Sequence, residues 1–305
     1  MARTRIGTAS WADKSLVQSG KYYPEWAKKP ADRLRFYASE FPLVEVDSSY
    51  YALPSQRNSA LWAGITPDDF LFNVKAFRLF TSHPTQPRMI PGEIRNELPG
   101  RLSEKRNVYY RDIPPELRAS LWRMFEDALL PLDSAGKLGV IVFQFPPWFM
   151  PQPDNKEHIL ECQERLPQYR LAVEFRNRYW LSERNRDDTF GFLRDNGLAF
   201  IAVDEPQGFN SSVPPLAEVT ASTALVRFHG RNRETWERRD LASSSERFDY
   251  YYSQPEMEEW VPRVREMQQR AREVHLIMNT NQQDQGIVNA RLMGRLLDGG
   301  ANGPG

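Results

Sequence analysis

Cysteine is almost absent from this chain, since Cys162 is the only one in 305 residues. A single cysteine excludes an internal disulfide framework and the zinc motifs that use several cysteines, and it fits a reducing compartment. Long apolar runs are missing too, and the amino-terminal residues lead directly into an apolar stretch that is too short for a signal-peptide core. We therefore expect a cytoplasmic protein without a membrane span.

Net charge is also lacking, because 40 basic residues balance 40 acidic residues. Bulk attraction to nucleic acid or to an anionic membrane is therefore not the leading explanation. The four histidines are too few for a multi-zinc site. GxGxxG, Walker-type, HExxH and GxSxG motifs are absent, so no cofactor is expected. A single Mg or Mn ion on Asp47, Glu174 and Asp204 stays open as an alternative.

What the chain does contain is a repeated pattern of short apolar runs that end in polar or charged residues. Eight such runs are found, at residues 6–11, 43–47, 70–75, 138–144, 171–176, 198–204, 224–229 and 274–279. Helix-like stretches separate most of them, at residues 31–41, 55–63, 116–130, 157–166, 187–196, 256–272 and 287–297. Strands that alternate with helices form a parallel sheet. We therefore predict an α/β fold, a TIM (β/α)8-type barrel.

The connections add detail to this barrel. Those after the third and seventh predicted strands are long and rich in turn residues, which is typical of functional loops. Residues 205–222 show no clear helix and are predicted to cross as a loop. Ser55 is expected to cap the second helix, and Gly197 to end the fifth. Residues 1–298 are predicted to form a single domain, followed by a flexible tail at 299–305.

The polar tips are the candidate chemistry, because active sites of such barrels lie at the carboxyl ends of the strands. Glu174 is the first candidate for a general acid or base, and Asp204, at the end of the next strand, is its predicted partner. The alternative for Glu174 is a structural salt bridge to Lys75, Arg176 or Arg227. The alternative for Asp204 is a cap of the following turn.

Basic side chains form the positive part of the same rim. Lys75 and His229 are predicted to take part in catalysis, and Arg176 and Arg227 to bind substrate. Arg227 and His229 are two residues apart on one strand and therefore point to the same side. Since the basic residues slightly outnumber the acidic ones at the strand ends, we expect an anionic or phosphate-bearing small ligand.

Further substrate-binding candidates carry amide, carboxylate or aromatic groups at the strand ends. Amides can donate and accept hydrogen bonds, although the alternative is that they brace the last loop. Aromatic side chains can stack on a ligand ring, although covering the barrel end is the commoner outcome. The predicted residues of this kind are Trp11, Asp47, Tyr50, Gln144, Asn279 and Asn281.

Several short motifs, taken together and in order, make the chain resemble the YecE-like family, known as domain of unknown function 72. They are Ile6-Gly7-Thr8-Ala9-Ser10-Trp11, Val44-Glu45-Val46-Asp47-Ser48-Ser49-Tyr50-Tyr51, Asn73-Val74-Lys75-Ala76, Phe143-Gln144-Phe145-Pro146-Pro147, Ala172-Val173-Glu174-Phe175-Arg176, Val226-Arg227-Phe228-His229-Gly230 and Asn279-Thr280-Asn281. The family often has Asn in place of Asp47 and an adjacent Asn pair where Thr280 separates Asn279 from Asn281. The resemblance implies a TIM barrel and no established activity.

Three functional hypotheses follow from these residues. The leading one is an enzyme of hydrolase or lyase type that acts on an anionic small molecule at the barrel mouth. The second is a nucleic-acid or nucleotide binder that uses residues 101–111 and the arginines Arg231, Arg233, Arg238 and Arg239. The third is a protein-interaction scaffold, with residues 248–252 as its aromatic anchor. Neither a substrate nor an oligomeric state follows from the sequence.

Overall fold

The computed structural model describes residues 2–238, 240–241 and 244–299. Eight parallel strands pair in chain order, and β8 pairs with β1 to close the barrel. The strands are β1 (Arg3–Ala9), β2 (Leu43–Val46), β3 (Leu71–Lys75), β4 (Leu138–Gln144), β5 (Leu171–Glu174), β6 (Ala199–Asp204), β7 (Thr223–Phe228) and β8 (Glu273–Met278). The predicted TIM (β/α)8-type barrel is confirmed.

The helices occupy the outside of this barrel. They are α1 (Lys14–Ser19), α2 (Pro30–Glu40), α3 (Gln56–Ile65), α4 (Gly92–Glu97), α5 (Gly100–Ser103), α6 (Pro115–Ser134), α7 (Pro153–Arg165), α8 (Arg186–Asp195), α9 (Gln254–Glu258), α10 (Val261–Arg270) and α11 (Gln285–Gly299). The stretch predicted as one helix at 256–272 is two helices, because Pro262 lies in the first turn of α10. Gly299, predicted to begin the tail, ends α11, and residues 300–305 lie outside the described residues.

The loops and helix ends follow the local sequence signals. The Ser55 hydroxyl accepts a hydrogen bond from the Asn58 N–H and caps α3. Gly197 follows α8 with a φ of +64°, which glycine adopts without strain. No helix lies between β6 and β7, so this connection is the predicted loop. The two long connections follow β3 and β7 as expected.

Side-chain alternation along the strands places one set of residues inside the barrel. Ala9, Leu43, Leu71 and Ile277, from four neighbouring strands, form an apolar cluster separate from the main core. Glu45 is two residues beyond Leu43 on β2 and therefore points the same way, one layer nearer the carboxyl ends of the strands. The interior is thus charged at the layer between this apolar cluster and the mouth. No described helix is both long enough and apolar enough to cross a membrane.

Gly7 lies where the backbone of β2 approaches β1 closely. A Cβ atom at this position would lie 1.9 Å from the carbonyl oxygen of Leu43, which belongs to the backbone of β2. We expect Gly7→Ala to lower the free energy of unfolding by about 1–3 kcal/mol, because the strands must separate. Urea denaturation measures this change.

Gly294 provides the matched control, because it lies inside α11 and the nearest atom to an added Cβ is Ile6 Cδ1 at 3.8 Å. Gly294→Ala should raise the free energy of unfolding by about 0.5–1 kcal/mol, since alanine favours the helix. Equal effects of the two substitutions would contradict the steric explanation.

Candidate functional site

Arg227 spans the interior of the barrel near its mouth. From β7 its Nη2 lies 2.6 Å from Oε1 of Glu45 on β2, and its Nη1 lies 2.5 Å from Oε2 of Glu174 on β5. Nη1 also donates to Gln144 Oε1 at 3.2 Å. The side chains of Arg227, Glu45 and Glu174 are fully buried. This ion-pair network joins three strands across the barrel. Glu174 thus forms a salt bridge to Arg227, which was the structural alternative to a catalytic role.

A second arginine, Arg176, lies at the next level toward solvent. Its Nε is 2.6 Å from Glu174 Oε1, and its Nη1 donates to Glu205 Oε2 at 2.6 Å. Its Nη2 lies 2.9 Å from Nε2 of His229. Arg176 therefore connects two buried carboxyl groups and an imidazole. Glu174 therefore contacts both arginines.

Both ring nitrogens of His229 have polar partners. Nε2 lies 2.9 Å from Arg176 Nη2 and 3.3 Å from Glu174 Oε1. The amide nitrogen of Asn279, Nδ2, lies 2.8 Å from Nδ1. Burial and the charge of Arg176 lower the pKa of His229 to about 3. His229 is therefore neutral at physiological pH, and Asn279 orients it.

The carboxyl groups of Glu174 and Glu205 have opposite protonation tendencies. Burial alone would raise the pKa of Glu174, but Arg176, Arg227 and His229 outweigh it and hold that pKa well below the ordinary value. Burial raises the pKa of Glu205 to about 8, although Arg176 and the Val213 N–H oppose the shift. A carboxylate and a carboxylic acid thus flank one guanidinium at neutral pH. Such pairs are the usual arrangement for acid and base roles.

Lys75 and Asp47 form a separate pair on the β2 and β3 side of the mouth. The Lys75 Nζ lies 2.9 Å from Asp47 Oδ1 and 4.7 Å from the centre of the Tyr50 ring. Tyr50 in turn meets the His83 ring edge-on at 5.3 Å. Burial, with Lys75 and Arg78, lowers the pKa of His83 to about 3, so this ring is neutral as well.

A cavity of about 560 Å³, the mouth cavity, opens above these groups. Arg176 and Gln144 form part of its wall, while Glu174 and Glu205 lie fully buried behind Arg176. The Arg176 guanidinium lies 5.2 Å from the centre of the Trp236 ring. The other residues of the wall are mostly aromatic, polar or charged: Tyr50, His83, Pro147, Trp148, Asn210, Ser211, Glu237, Arg247 and Phe248.

The prediction that Asp204 pairs with Glu174 is wrong. The Asp204 carboxylate accepts hydrogen bonds from Arg231, from the Tyr252 hydroxyl at 2.7 Å and from the Trp260 indole at 2.7 Å. Side chains along a strand alternate between its two faces, and the Asp204 side chain lies on the outer face of β6. Its partners therefore lie outside the barrel. The next residue, Glu205, points inward and takes the predicted position.

Two other predicted binding residues lie away from the mouth cavity. Trp11 is buried among Trp62 and Phe72, with ring centres at 5.3 and 6.3 Å, and therefore belongs to the core. Asn281 lines a small cleft with Thr8 and Ser10 instead, where its Oδ1 has no hydrogen-bond partner among the described residues. Neither residue lines the mouth cavity, and their contact with a substrate stays a prediction.

The carboxylates considered for a single metal ion are not brought together. Asp47 pairs with Lys75, Glu174 with Arg176 and Arg227, and Asp204 with Arg231. Across the described part of the chain, no group of three or more His, Cys, Asp or Glu side chains is arranged to hold a metal ion.

Most of the arginines behind the nucleic-acid hypothesis and the tyrosines behind the protein-interaction hypothesis contact other residues of this chain. Arg231 pairs with Asp204 and Glu259, Arg238 pairs with Asp240, and Arg239 lies outside the described residues. In the predicted aromatic anchor, the hydroxyls of Tyr250, Tyr251 and Tyr252 donate to Glu256, Asp284 and Asp204 respectively.

Sequence reasoning missed several residues of the site. Glu45 had a signal, because it is two residues before Asp47 and alternation along β2 turns it inward. For Glu205 the sequence offered a weaker indication, namely its position directly after the predicted site residue Asp204. His83, Trp148 and Trp236 come from loops, and no strand pattern places them.

The comparisons with known proteins agree with this architecture. A family model described as "Protein of unknown function DUF72" matches residues 5–304. UPF0759 protein YunF of Bacillus subtilis (strain 168) is 32% identical over 296 residues, which cover 96% of this chain and 94% of that one. Crystal structures of two DUF72 family proteins are similar. The Enterococcus faecalis V583 protein has a TM-score of 0.78 and 26% identity, covering 97% of this chain and 95% of its own. The Thermotoga maritima MSB8 protein has a TM-score of 0.75 and 28% identity, covering 97% and 99%.

Proposed function

The chain belongs to the DUF72 family of proteins of unknown function, and from its own site we propose that it is an enzyme of hydrolase or lyase type. Its substrate would be an anionic or phosphate-bearing small molecule held in the mouth cavity. The observation that carries the proposal is Arg176, a cation on the cavity wall that is backed by one ionised and one protonated carboxyl group. Family membership supports the barrel and leaves the activity open.

The charge balance of the cavity supports an anionic ligand. Arg176 and Arg247 lie on the wall together with one acidic side chain, Glu237. Behind the wall, Glu205 is largely protonated at neutral pH because of its raised pKa of about 8. Each terminal nitrogen of Arg176 carries a second N–H beside the one directed at Glu205 or His229. A guanidinium with two such hydrogens suits a phosphate or carboxylate.

Acid and base chemistry would come from the two carboxyl groups behind Arg176. Glu205 can release a proton near pH 8, and Glu174, with its depressed pKa, remains an acceptor. Both are fully buried, so a bound anion must draw Arg176 toward itself before either carboxyl group meets a substrate. In this proposal Arg176 binds the anion and also controls access to the acid.

The binding part of the proposal is tested with Arg176→Gln and with inorganic phosphate as the probe. Loss of a charged hydrogen-bond donor should weaken binding by about 1.5–3 kcal/mol, roughly ten- to a hundredfold in Kd. Isothermal titration calorimetry measures this change. Arg178→Gln is the matched control, because Arg178 is exposed and lies over the Tyr179 ring at 5.3 Å. Equal affinity of the Arg176→Gln and wild-type proteins would exclude Arg176 as the anion ligand.

A nucleotide or nucleic-acid ligand without catalysis is the second candidate. It is favoured by the exposed rings of Trp148 and Tyr179, with 57% and 45% exposure, on the loops after β4 and β5. Aromatic rings beside arginines suit base stacking. A titration with single-stranded oligonucleotides would support this candidate if the affinity fell steeply with salt. We place either function in the cytoplasm, on the basis of the single cysteine.

A further inference from the structure

A second cavity, here called the outer cavity, adjoins the mouth cavity. Its volume is about 850 Å³, and Trp148 lines both cavities. Trp148 is 57% exposed, so its ring is accessible from solvent. The remaining wall is mostly aromatic, charged or polar and includes Ser82, Tyr110 and Arg118. Two cavities that share one exposed indole can accommodate one elongated ligand.

The backbone between the two cavities is held in an unusual conformation. Ser82 has a φ of +60°, which residues with a side chain adopt only when their surroundings impose it. Ser82 lines the outer cavity, whereas the next residue, His83, lines the mouth cavity. The His83 ring is fixed by a 2.9 Å contact between Nδ1 and the Thr81 hydroxyl, and it lies 5.9 Å from the Trp148 ring. The two cavities thus meet at the His83 and Trp148 rings.

The outer cavity differs from the mouth cavity in its charge. Arg111 and Arg118 lie on its wall with Asp154, Glu157 and Glu161, and although burial opposes the shift, contacts with Cys162 and Glu161 raise the pKa of His158 to about 10, so this imidazole is a third cation. The charges of the outer cavity therefore balance, and it adds no attraction for a second anionic group. The Arg118 guanidinium lies 4.9 Å from the centre of the Tyr110 ring, and the Tyr110 hydroxyl donates to Glu161 at 2.7 Å. Carboxylates and amides are good partners for hydroxyl groups, and an indole face packs on the C–H face of a sugar ring.

We infer that the ligand is an anionic glycoside, whose charged end occupies the mouth cavity at Arg176 and whose neutral sugar ring occupies the outer cavity beside Trp148. This inference rests on the proposed anion binding at Arg176 and adds the chemical class of the rest of the ligand.

Three probes separate the two ends of the ligand: inorganic phosphate, neutral cellobiose and cellobiose 6′-phosphate. Calorimetry should show that wild-type protein binds cellobiose 6′-phosphate more tightly than inorganic phosphate. Trp148→Ala should weaken cellobiose 6′-phosphate roughly three- to tenfold more than it weakens inorganic phosphate, the range of one lost aromatic contact in the outer cavity. Glu157→Gln, an isosteric change in the outer cavity, should weaken the same probe alone.

Trp26→Ala is the control, because Trp26 is 58% exposed and lines neither cavity. Equal binding of cellobiose 6′-phosphate to wild type and Trp148→Ala would overturn the inference while phosphate binding at Arg176 stands. Cellobiose binding that depends on Trp148, without any phosphate binding, would support the outer cavity and refute the proposed anion site. If the wild-type protein bound none of the probes, both would be refuted.

Discussion

Replacement of Arg227 by methionine should lower the free energy of unfolding at neutral pH by about 3–5 kcal/mol, the usual cost of removing one partner from a buried ion pair. Arg227 pairs with Glu45 and Glu174 inside the barrel, and none of the three side chains is exposed. Without the guanidinium, two buried carboxyl groups lose their shared counter-ion, and Glu174 keeps Arg176 as its charged partner. Urea denaturation at pH 7 measures the loss.

The pH dependence of this loss follows from the depressed pKa of Glu174. A carboxyl group whose pKa is lower in the folded state contributes stability above its unfolded pKa, and this contribution disappears as the pH falls through the folded pKa. Arg227→Met removes much of that contribution, so its cost should be largest at neutral pH and smaller in acid. Adding Glu174→Gln to the variant should recover part of the loss.

Arg270→Met serves as the control for charge removal in general. Arg270 pairs with Glu218 at the surface, where both side chains are partly exposed. Its removal should change the free energy of unfolding by no more than about 1 kcal/mol. A similar, small effect at Arg227 would mean that the buried network does not stabilise the barrel.

Glu205→Gln should stabilise the protein increasingly as the pH rises from about 5 to 8. In the folded protein burial raises the pKa of Glu205 to about 8, from an ordinary value of 4.5. Between these values the folded state holds a proton that the unfolded state has released, so wild-type stability falls as the pH rises. The slope is up to about 1.4 kcal/mol per pH unit, which amounts to a few kcal/mol by pH 8. Glutamine does not ionise and removes this term. Its amide N–H group must face either Arg176 or Val213, which costs about 1–3 kcal/mol at every pH, so the gain over wild type should appear as the pH approaches 8.

The neighbouring substitution Asp204→Asn should have the opposite sign. The Asp204 carboxylate accepts from Arg231, Tyr252 and Trp260, and an amide would present an N–H group to one of these donors. A loss of about 1–3 kcal/mol is expected for such an unsatisfied contact. Denaturation of both variants across the pH range provides the comparison. If Glu205→Gln tracked the wild-type pH profile, Glu205 would be ionised in the folded protein and excluded as the acid.

The barrel itself was accessible from the sequence because parallel strands are buried on both faces. Such strands appear as continuous apolar runs, and the run at 138–144 coincides with β4 (Leu138–Gln144). The charged tips at Glu174, Arg176 and Arg227 were accessible for a related reason. Charged residues that directly follow buried strands lie at the carboxyl ends of those strands, which together form the barrel mouth.

The error at Asp204 shows where sequence reasoning stops. Two adjacent carboxylates point to opposite sides of a strand, and the side depends on the register of β6 in the closed sheet. That register is set by pairing with β5 and β7 and has no local signal. The same limit applies to His83, Trp148 and Trp236, because their loops are positioned by packing between distant segments. Trp11 follows a strand, as predicted for a ligand contact, but it packs on α3 through Trp62.

The order in which the partners of Arg227 are synthesised has a consequence for folding. Glu45 precedes Arg227 by 182 residues, and Glu174 precedes it by 53. During translation both acids therefore emerge long before the arginine that neutralises them. A chain that stops at β4 contains Glu45, and a chain that stops at β6 contains both acids, in each case without Arg227. Contacts of such sequence separation form late and slow the search for the native state. The charges of Glu45, Glu174 and Arg227 are therefore balanced only after seven of the eight strands have assembled.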